Sequence, residues 1–114
     1  MAFNEKIANR IRQALADVPN VEEKRMFRGI AFMVNDKMCI NIGGDEMMCR
    51  IDPLLHQSAI KRNGCSGMVM KGKELKGWIK ITVDGMKSKK DFDHWIGLAL
   101  EFNKKARSSK TGKA

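Results

Sequence analysis

Cysteine and histidine residues are the side chains in this sequence whose types could do chemistry. The cysteines are Cys39, Cys49 and Cys65, and the histidines are His56 and His94. Their spacing contains no Cys-x-x-Cys pair and no Cys/His set typical of a zinc site. An odd number of cysteines implies no disulfide framework, so we expect a reducing, cytoplasmic compartment.

The two histidines give little indication of a metal or catalytic site. Asp91 and Asp93 flank His94, but Asp-x-His without a third ligand is weak evidence for zinc. The sequence also contains no nucleophile elbow, phosphate-binding loop or dinucleotide-binding glycine pattern. We therefore expect a non-enzymatic protein with no catalytic residues, no metal, no cofactor and no small-molecule substrate, in which both histidines are surface or partly buried.

The cysteines are interpreted mainly as small hydrophobic residues. The predicted strand register, given below, places Cys39 and Cys49 on opposite faces of a sheet, which argues against a bond between them. Cys65 lies in a glycine-flanked segment and is the candidate for an accessible thiol. No histidine lies near it in sequence to lower its pKa, so a redox role is the weaker hypothesis.

Residues 25–52 form the part of the chain against which the other elements are predicted to pack. They are predicted to form three antiparallel strands, joined by a two-residue turn at Asn35-Asp36 and a glycine turn at Gly43-Gly44-Asp45. The two turns predict the cross-strand pairs Met33–Met38, Ala31–Ile40, Ile42–Met47 and Ile40–Cys49.

This register sorts the side chains of the three strands onto two faces. The almost wholly apolar face, predicted to be the core, holds Ala31, Met33, Met38, Ile40, Ile42, Met47, Cys49 and Ile51. The second face holds Ile30, Phe32, Val34, Cys39, Asn41, Met48 and Arg50. Two interpretations of this half-apolar second face stay open: cover by the chain's own helix or loop, or a partner or subunit interface. The candidate interface residues are Ile30, Phe32, Val34 and Met48.

The flanking segments supply helices and further strands. A helix is predicted over 4–17 with Asn4 as its N-cap, and a charged edge strand over 21–27. Pro53 opens a short helix, and 64–77 is predicted as a loop with a short extended piece at Met68 to Lys71. A later strand covers 77–83, and a final helix begins after Ser88 and ends near residue 105.

The order of these elements predicts an α+β, two-layer domain. Its antiparallel sheet is a meander of three to four strands plus one later strand, covered by N-terminal, middle and C-terminal helices. We expect residues 1–107 to form this single domain and 108–114 to form a disordered basic tail. No apolar run has the length of about 18 residues that a membrane span needs, so we expect no membrane contact.

Basic residues are concentrated in the second half of the chain. The formal net charge is +9, and residues 61–90 hold nine basic side chains against two acidic ones. Such asymmetry favours attraction to an acidic surface, although a solvated basic face that only aids solubility remains the alternative. The candidate nucleic-acid contacts combine lysines with one aromatic ring: Lys71, Lys73, Lys76, Trp78, Lys80, Lys87, Lys89 and Lys90.

Two separated motifs resemble the TfoX N-terminal domain family. The residues that carry the resemblance are Met26, Phe27, Gly29, Asn35, Lys37, Met38, Gly72, Leu75, Lys76, Gly77 and Trp78. Arg28 and Asp36 depart from it, because glycine is usual at both places. The resemblance implies a stand-alone relative of the domain found in a competence regulator, which acts in transcription together with another activator protein. It implies no catalytic residues.

Two function hypotheses follow for the chain. The first is a regulatory or adaptor domain that acts by protein contact, with a homodimer or an unidentified protein as partner. The second is a basic nucleic-acid-binding module that uses the lysine-rich 71–90 region, with affinity that falls steeply with salt.

Overall fold

The computed structural model describes residues 4–26 and 29–105. Phe27, Arg28 and the tail predicted at 108–114 lie outside the described residues. The helices are α1 (Glu5–Ala14), α2 (His56–Ala59) and α3 (Lys89–Asn103), with 3₁₀ turns at Pro53–Leu55 and Val83–Met86. The strands are β1 (Val21–Met26), β2 (Gly29–Val34), β3 (Lys37–Gly43), β4 (Glu46–Arg50), β5 (Cys65–Met70) and β6 (Lys73–Ile81).

The six strands form one open antiparallel sheet in the order β1-β2-β3-β4-β6-β5. This arrangement confirms the α+β class with N-terminal, middle and C-terminal helices, and it adds a strand to the predicted number. β1 lies at one edge of the sheet, as its charged sequence predicted, and β5 lies at the other edge.

The first hairpin contains a bulge that the sequence pattern did not predict. Asn35 and Asp36 form its turn with φ angles of 54° and 66°, and Met33 faces Met38 as predicted. The register then shifts by one residue, so that Phe32 faces Ile40 and the predicted Ala31–Ile40 pair is wrong. Past the bulge, Ile40 faces Cys49 and Ile42 faces Met47, as predicted.

An extra residue in one strand shifts the pairing by one, so beyond it the side chains of that strand lie on the same face as a different set of side chains of the paired strand. Ile30, Phe32 and Val34 therefore lie on the same face as Ile40 and Ile42, with 3 % or less of each residue exposed. The prediction that these three β2 residues line an exposed interface is wrong, because they belong to the hydrophobic core. Ala31 and Met33 point to the opposite face instead.

The helices cover the face of the sheet that carries the core. Ile7 and Ile11 of α1, Leu15 directly after it, and Phe92 and Trp95 of α3 join one buried cluster with the β2, β3, β4 and β6 side chains. In the described part of the chain, no helix has the length and apolarity that crossing a membrane requires.

Both predicted helix N-caps are confirmed. The Asn4 side chain accepts hydrogen bonds from the backbone N–H groups of Lys6 and Ile7, at 2.9 and 3.3 Å. The Ser88 hydroxyl accepts one from the N–H of Asp91 at 3.0 Å. These bonds satisfy donors that have no partner inside the helix, so the sequence determined where α1 and α3 begin.

The segment predicted as a loop over 64–77 is instead most of a hairpin. β5 and β6 are joined by Lys71 and Gly72, whose φ angles are 53° and 79°. Two successive residues with positive φ form a type I′ turn, whose twist matches that of the two strands it joins. The glycines and lysines of this segment had indicated a loop, although the extended piece predicted at Met68 to Lys71 lies partly within β5.

Candidate protein-interaction surface at the β5 edge

The two edges of the sheet differ in their side chains. β1 has the sequence VEEKRM, in which four of six residues are charged. β5 has the sequence CSGMVM, with no charged residue. An edge strand carries backbone N–H and C=O groups that can pair with another chain, and charged side chains normally discourage such pairing. β5 lacks that protection.

The register identifies the backbone groups that β5 turns outward. The Thr82 N–H donates to the Gly64 C=O at 2.8 Å, which makes these two residues a closely bonded pair. Because bonding alternates along an antiparallel strand, Gly67 turns its N–H and C=O away from β6. At the other end of β5, the two-residue turn makes Met70 and Lys73 a hydrogen-bonded pair. The backbone N–H and C=O groups of Val69 therefore also point away from β6.

A buried histidine fixes the geometry of this hairpin. His56 is 1 % exposed, and its Nδ1 accepts a hydrogen bond from the Gly77 N–H at 3.1 Å. Since Nδ1 is an acceptor, the neutral ring carries its proton on Nε2, which donates to Glu74 Oε2 at 3.0 Å. α2 is thereby bonded to β6 at two positions, Glu74 near its start and Gly77 at its middle.

Two glycines make room for this histidine and for the bend in β6. A Cβ atom at Gly67 would lie 3.2 Å from His56 Nε2 and 3.0 Å from Glu74 Oε2, closer than ordinary van der Waals contact. Gly77 has a φ of 91°, where L side chains are strained. Between the pairs Gly67–Ile79 and Val69–Glu74, β5 has one residue and β6 has four, so β6 bulges strongly beside a straight β5.

Exposed apolar side chains lie around the same anchor. Val69 is 69 % exposed and pairs with Glu74, the partner of His56. Leu55, 41 % exposed, immediately precedes His56, and Leu54 beside it is 90 % exposed. The outer edge of β5 therefore combines outward backbone groups with one exposed apolar side chain, that of Val69, while Leu54 and Leu55 are exposed on the turn that packs against β6.

Basic residues stand at both ends of β5. Lys71 and Lys73 are exposed at the hairpin turn and Lys76 is exposed in the β6 bulge, and the three form no ion pair with a described residue. A strand of this length separates the two ends by about 20 Å.

The opposite end of β5 is close to the start of α3. Arg62 Nη2 lies 3.3 Å from Asp91 Oδ1, and a Cβ at Gly64 would lie 2.4 Å from Gly85 Cα. This proximity places Lys61 and Arg62 in the same region as Lys87, Lys89 and Lys90, all of which are exposed.

The predicted nucleic-acid contacts are therefore divided among separate places. Arg50 lies over Trp78, with its Cζ 5.9 Å from the ring centroid. Lys80 Nζ is 4.0 Å from Glu46 Oε1, on the face of the sheet opposite the core. Lys76 lies in the β6 bulge and the remaining lysines lie near the two ends of β5, so the structure does not gather all eight residues into one groove.

Met48 is the member of the predicted interface that remains partly accessible. It is half-buried on the sheet face opposite the core, between Asn41 on β3 and Lys80 on β6. The neighbouring Asn41 Oδ1 is buried and has no hydrogen-bond partner among the described residues. A methionine next to an amide and a lysine gives this face a mixed character rather than a continuous apolar patch.

All three thiols are buried in the core cluster. Burial raises the pKa of Cys39 to about 12 and that of Cys65 to about 11, and it raises the pKa of Cys49 well above its ordinary value. Cys65 is 9 % exposed, which corrects the prediction of an accessible thiol. The bulge also places Cys39 in the same buried cluster as Cys49, so the prediction of opposite faces is wrong.

His94 is exposed near the start of α3, where its ring packs edge-on against Trp95. Burial beside this ring and the Arg62 charge lower the pKa of His94. Among residues 4–26 and 29–105, no three His, Cys, Asp or Glu side chains are grouped to hold a metal ion.

Sequence reasoning missed β5 and the role of His56. The signals available were Lys71-Gly72 as a two-residue turn and the extended piece predicted at Met68. His56 gave no signal, because its partners Gly77 and Glu74 become neighbours only after β6 bends back over α2.

A small α+β domain with one helix-covered face of an open antiparallel sheet is an architecture that solved structures also show. A crystal structure and a solution NMR structure of a structural-genomics target from Pseudomonas syringae resemble this chain. The crystal structure has 16 % identity and a TM-score of 0.60, and the match covers 83 % of this chain and 97 % of that one. The NMR structure has 15 % identity and a TM-score of 0.62, with 96 % and 98 % covered. At this identity the likeness shows the fold alone.

The sequence pattern of the TfoX N-terminal domain matches residues 13–103. The chain therefore belongs to the TfoX N-terminal domain family. No curated protein matches it significantly.

Proposed function

We propose that this chain is a non-enzymatic adaptor domain that acts in the cytoplasm through contact with a partner protein. The single observation that carries the proposal is the β5 edge, a six-residue strand without a charged side chain at the open side of the sheet. Edges of this kind are normally protected in soluble proteins, so an unprotected one favours a contact.

The geometry around the β5 edge supports a contact role over a chemical one. His56 and Glu74 are adjacent titratable groups, yet His56 is 1 % exposed and both of its ring nitrogens are engaged in bonds that hold the hairpin. A histidine whose two ring nitrogens are both bonded in this way holds the β5–β6 hairpin in position. The exposed Val69 then supplies an apolar contact beside the outward backbone groups.

Family membership gives the adaptor role a biological direction. The family takes its name from a competence regulator, and a role in transcriptional regulation alongside another protein is the corresponding proposal for this chain. The regulatory role is proposed by analogy with the family, so the experiment below tests the contact surface itself.

Nucleic-acid binding is the competing hypothesis and is less well supported. The lysines of residues 71–90 are divided among the two ends of β5, the β6 bulge and the opposite sheet face, and Arg50 already lies over Trp78. Single-strand binding in contrast uses a continuous basic groove with accessible aromatic rings.

The experiment is affinity purification of the tagged protein and its variants from cells, with quantitative mass spectrometry of the proteins that copurify. The test variant is Val69→Lys, which places a charge on the β5 edge. The matched control is Glu22→Lys, which changes an exposed residue on the β1 edge. We expect Val69→Lys to lose copurified proteins that both the wild type and Glu22→Lys retain, with unchanged circular dichroism. Identical sets of proteins for all three chains would contradict the proposal.

A further inference from the structure

We infer that β5 binds an extended, acidic segment of the partner protein as a seventh strand of the sheet. The inference rests on the proposed function and specifies the chemistry of the partner. It combines three features of the edge: outward backbone groups, the exposed apolar side chain of Val69 and positive charge at both ends.

The backbone supplies the pairing. Gly67 and Val69 turn their N–H and C=O groups outward, at the spacing of two residues that an added strand requires. Strand addition obtains its affinity from such main-chain hydrogen bonds and its specificity from side chains at alternate positions. The hairpin is held in this conformation by His56, so little ordering is needed on binding.

The charge distribution selects an acidic segment. Lys71 and Lys73 stand at one end of β5, Lys76 lies in the β6 bulge opposite its middle, and Lys61 stands at the other end together with Arg62, which pairs with Asp91. The strand between them is uncharged. A segment with apolar residues in the middle and carboxylates at both ends would complement this pattern along its whole length.

The same charges disfavour a second copy of this chain as the occupant. An antiparallel β5–β5 pair related by a two-fold axis would place the hairpin lysines of one copy beside Lys61 and Arg62 of the other. Like charges placed together across an interface suppress that pairing. The partner segment is therefore expected to come from a different, acidic protein.

The test uses the full chain and a fluorescent synthetic peptide matched to β5 in length, with glutamates at both ends and alternating valine and threonine between them. Binding is followed by fluorescence anisotropy at low and high salt. We expect the peptide to bind, and its affinity to fall on the order of tenfold at high salt. Amide hydrogen exchange is expected to slow at Gly67 and Val69 and to stay unchanged along β1.

Two variants separate the electrostatic and backbone parts of the inference. Replacing Lys71, Lys73 and Lys76 by glutamate is expected to weaken peptide binding by on the order of tenfold. Replacing Lys6, Lys24 and Lys104 by glutamate makes the same change in net charge away from the hairpin and is expected to leave binding within about twofold. Val69→Pro removes one outward N–H and is expected to abolish the protection at Gly67.

Several results would overturn the inference. They are equal binding of a peptide with lysines in place of the glutamates, protection along β1 instead of β5, and dimerisation that Val69→Lys abolishes. Tighter binding of a single-stranded oligonucleotide that the hairpin variant abolishes would assign the edge to nucleic acid. If no peptide binds while Val69→Lys still loses copurified proteins, strand addition fails and the adaptor role stands. If the peptide binds and copurification is unaffected, the adaptor role fails alone.

Discussion

The two edges of the sheet, β1 and β5, have six residues each but opposite surface chemistry. β1 is charged, and the Arg12 guanidinium of α1 donates two hydrogen bonds to the Glu23 carboxylate, at 2.8 and 2.9 Å. β5 is uncharged and ends at a lysine-bearing turn. A charged edge that is also tied to a helix is poorly suited to adding a strand, whereas β5 has the unprotected backbone that strand addition uses.

The two edge strands also differ in the side chains that hold them against the rest of the fold. β1 is backed by the β2 side chains Ile30, Phe32 and Val34, which lie in the main core. The β5 edge is anchored by one polar side chain, His56, with Gly67 leaving room for its ring and Gly77 allowing the bend in β6. Apolar packing tolerates small adjustments, but a buried polar anchor fails when either partner is removed.

The largest expected effect concerns the core behind β1. Phe32→Ala removes a ring that is 1 % exposed, and it is expected to lower the free energy of unfolding by about 3–5 kcal/mol. Leu54→Ala, at a residue that is 90 % exposed, is the control and is expected to change it by less than about 0.5 kcal/mol. Urea denaturation measures both. A small effect of Phe32→Ala would mean that this β2 face is exposed after all.

The next effect concerns the anchor of β5. His56→Ala leaves the Gly77 N–H without its acceptor and opens a cavity, so we expect a loss of about 2–4 kcal/mol. Hydrogen exchange should quicken in β5 and β6 more than in β1 and β2. The exposed His94→Ala is the control, with an expected change within about 0.5 kcal/mol. Uniform loss of protection over the whole sheet would show that the hairpin is not a separate unit.

A smaller, pH-dependent effect is expected at the β1 edge. The hydrogen bond with Arg12 lowers the pKa of Glu23 below its ordinary value of 4.5. The ionised pair therefore stabilises the fold above that value, and its contribution is lost as the pH falls through the lowered pKa. Because both side chains are more than a third exposed, Glu23→Gln should cost only about 0.3–1 kcal/mol at neutral pH and close to nothing near about pH 2.

Denaturation of wild type and Glu23→Gln at the two pH values checks this expectation. A difference between the two proteins that persists at low pH would show that the carboxylate charge is not its origin.

The smallest effect on stability should come from removing two of the four charges of β1. Glu22→Val with Lys24→Val is expected to change the free energy of unfolding by less than about 0.5 kcal/mol. The double variant should nevertheless self-associate, because the face of β1 that carries residues 22 and 24 would have lost its protecting charges. Sedimentation at several concentrations measures this. A strictly monomeric variant would mean that charge is not what keeps β1 unpaired.

Local signals in the sequence determined much of the fold. Asn4 and Ser88 predicted where two helices begin, and Asn35-Asp36 predicted the first turn. The charges of β1 predicted that it lies at an edge. Each of these features depends on neighbours a few residues away, which is why the sequence alone could predict them.

Tertiary structure decided the features on which the proposed function depends. One inserted residue in β3 placed Ile30, Phe32 and Val34 in the core, although the turn beside them was predicted correctly. Because both faces of β2 are apolar, the alternation of apolar and polar residues cannot reveal that β3 contains one extra residue.

The candidate site was likewise decided by contacts between distant segments. The sequence supplied the basic residues and the uncharged run of β5, but not their arrangement along one edge. That arrangement depends on His56, 21 residues before Gly77 and 18 before Glu74, and on the pairing of β5 with the far end of β6. The bonds that define this edge form only when the chain has folded back on itself, because their energy has to offset the entropy of closing the intervening loop.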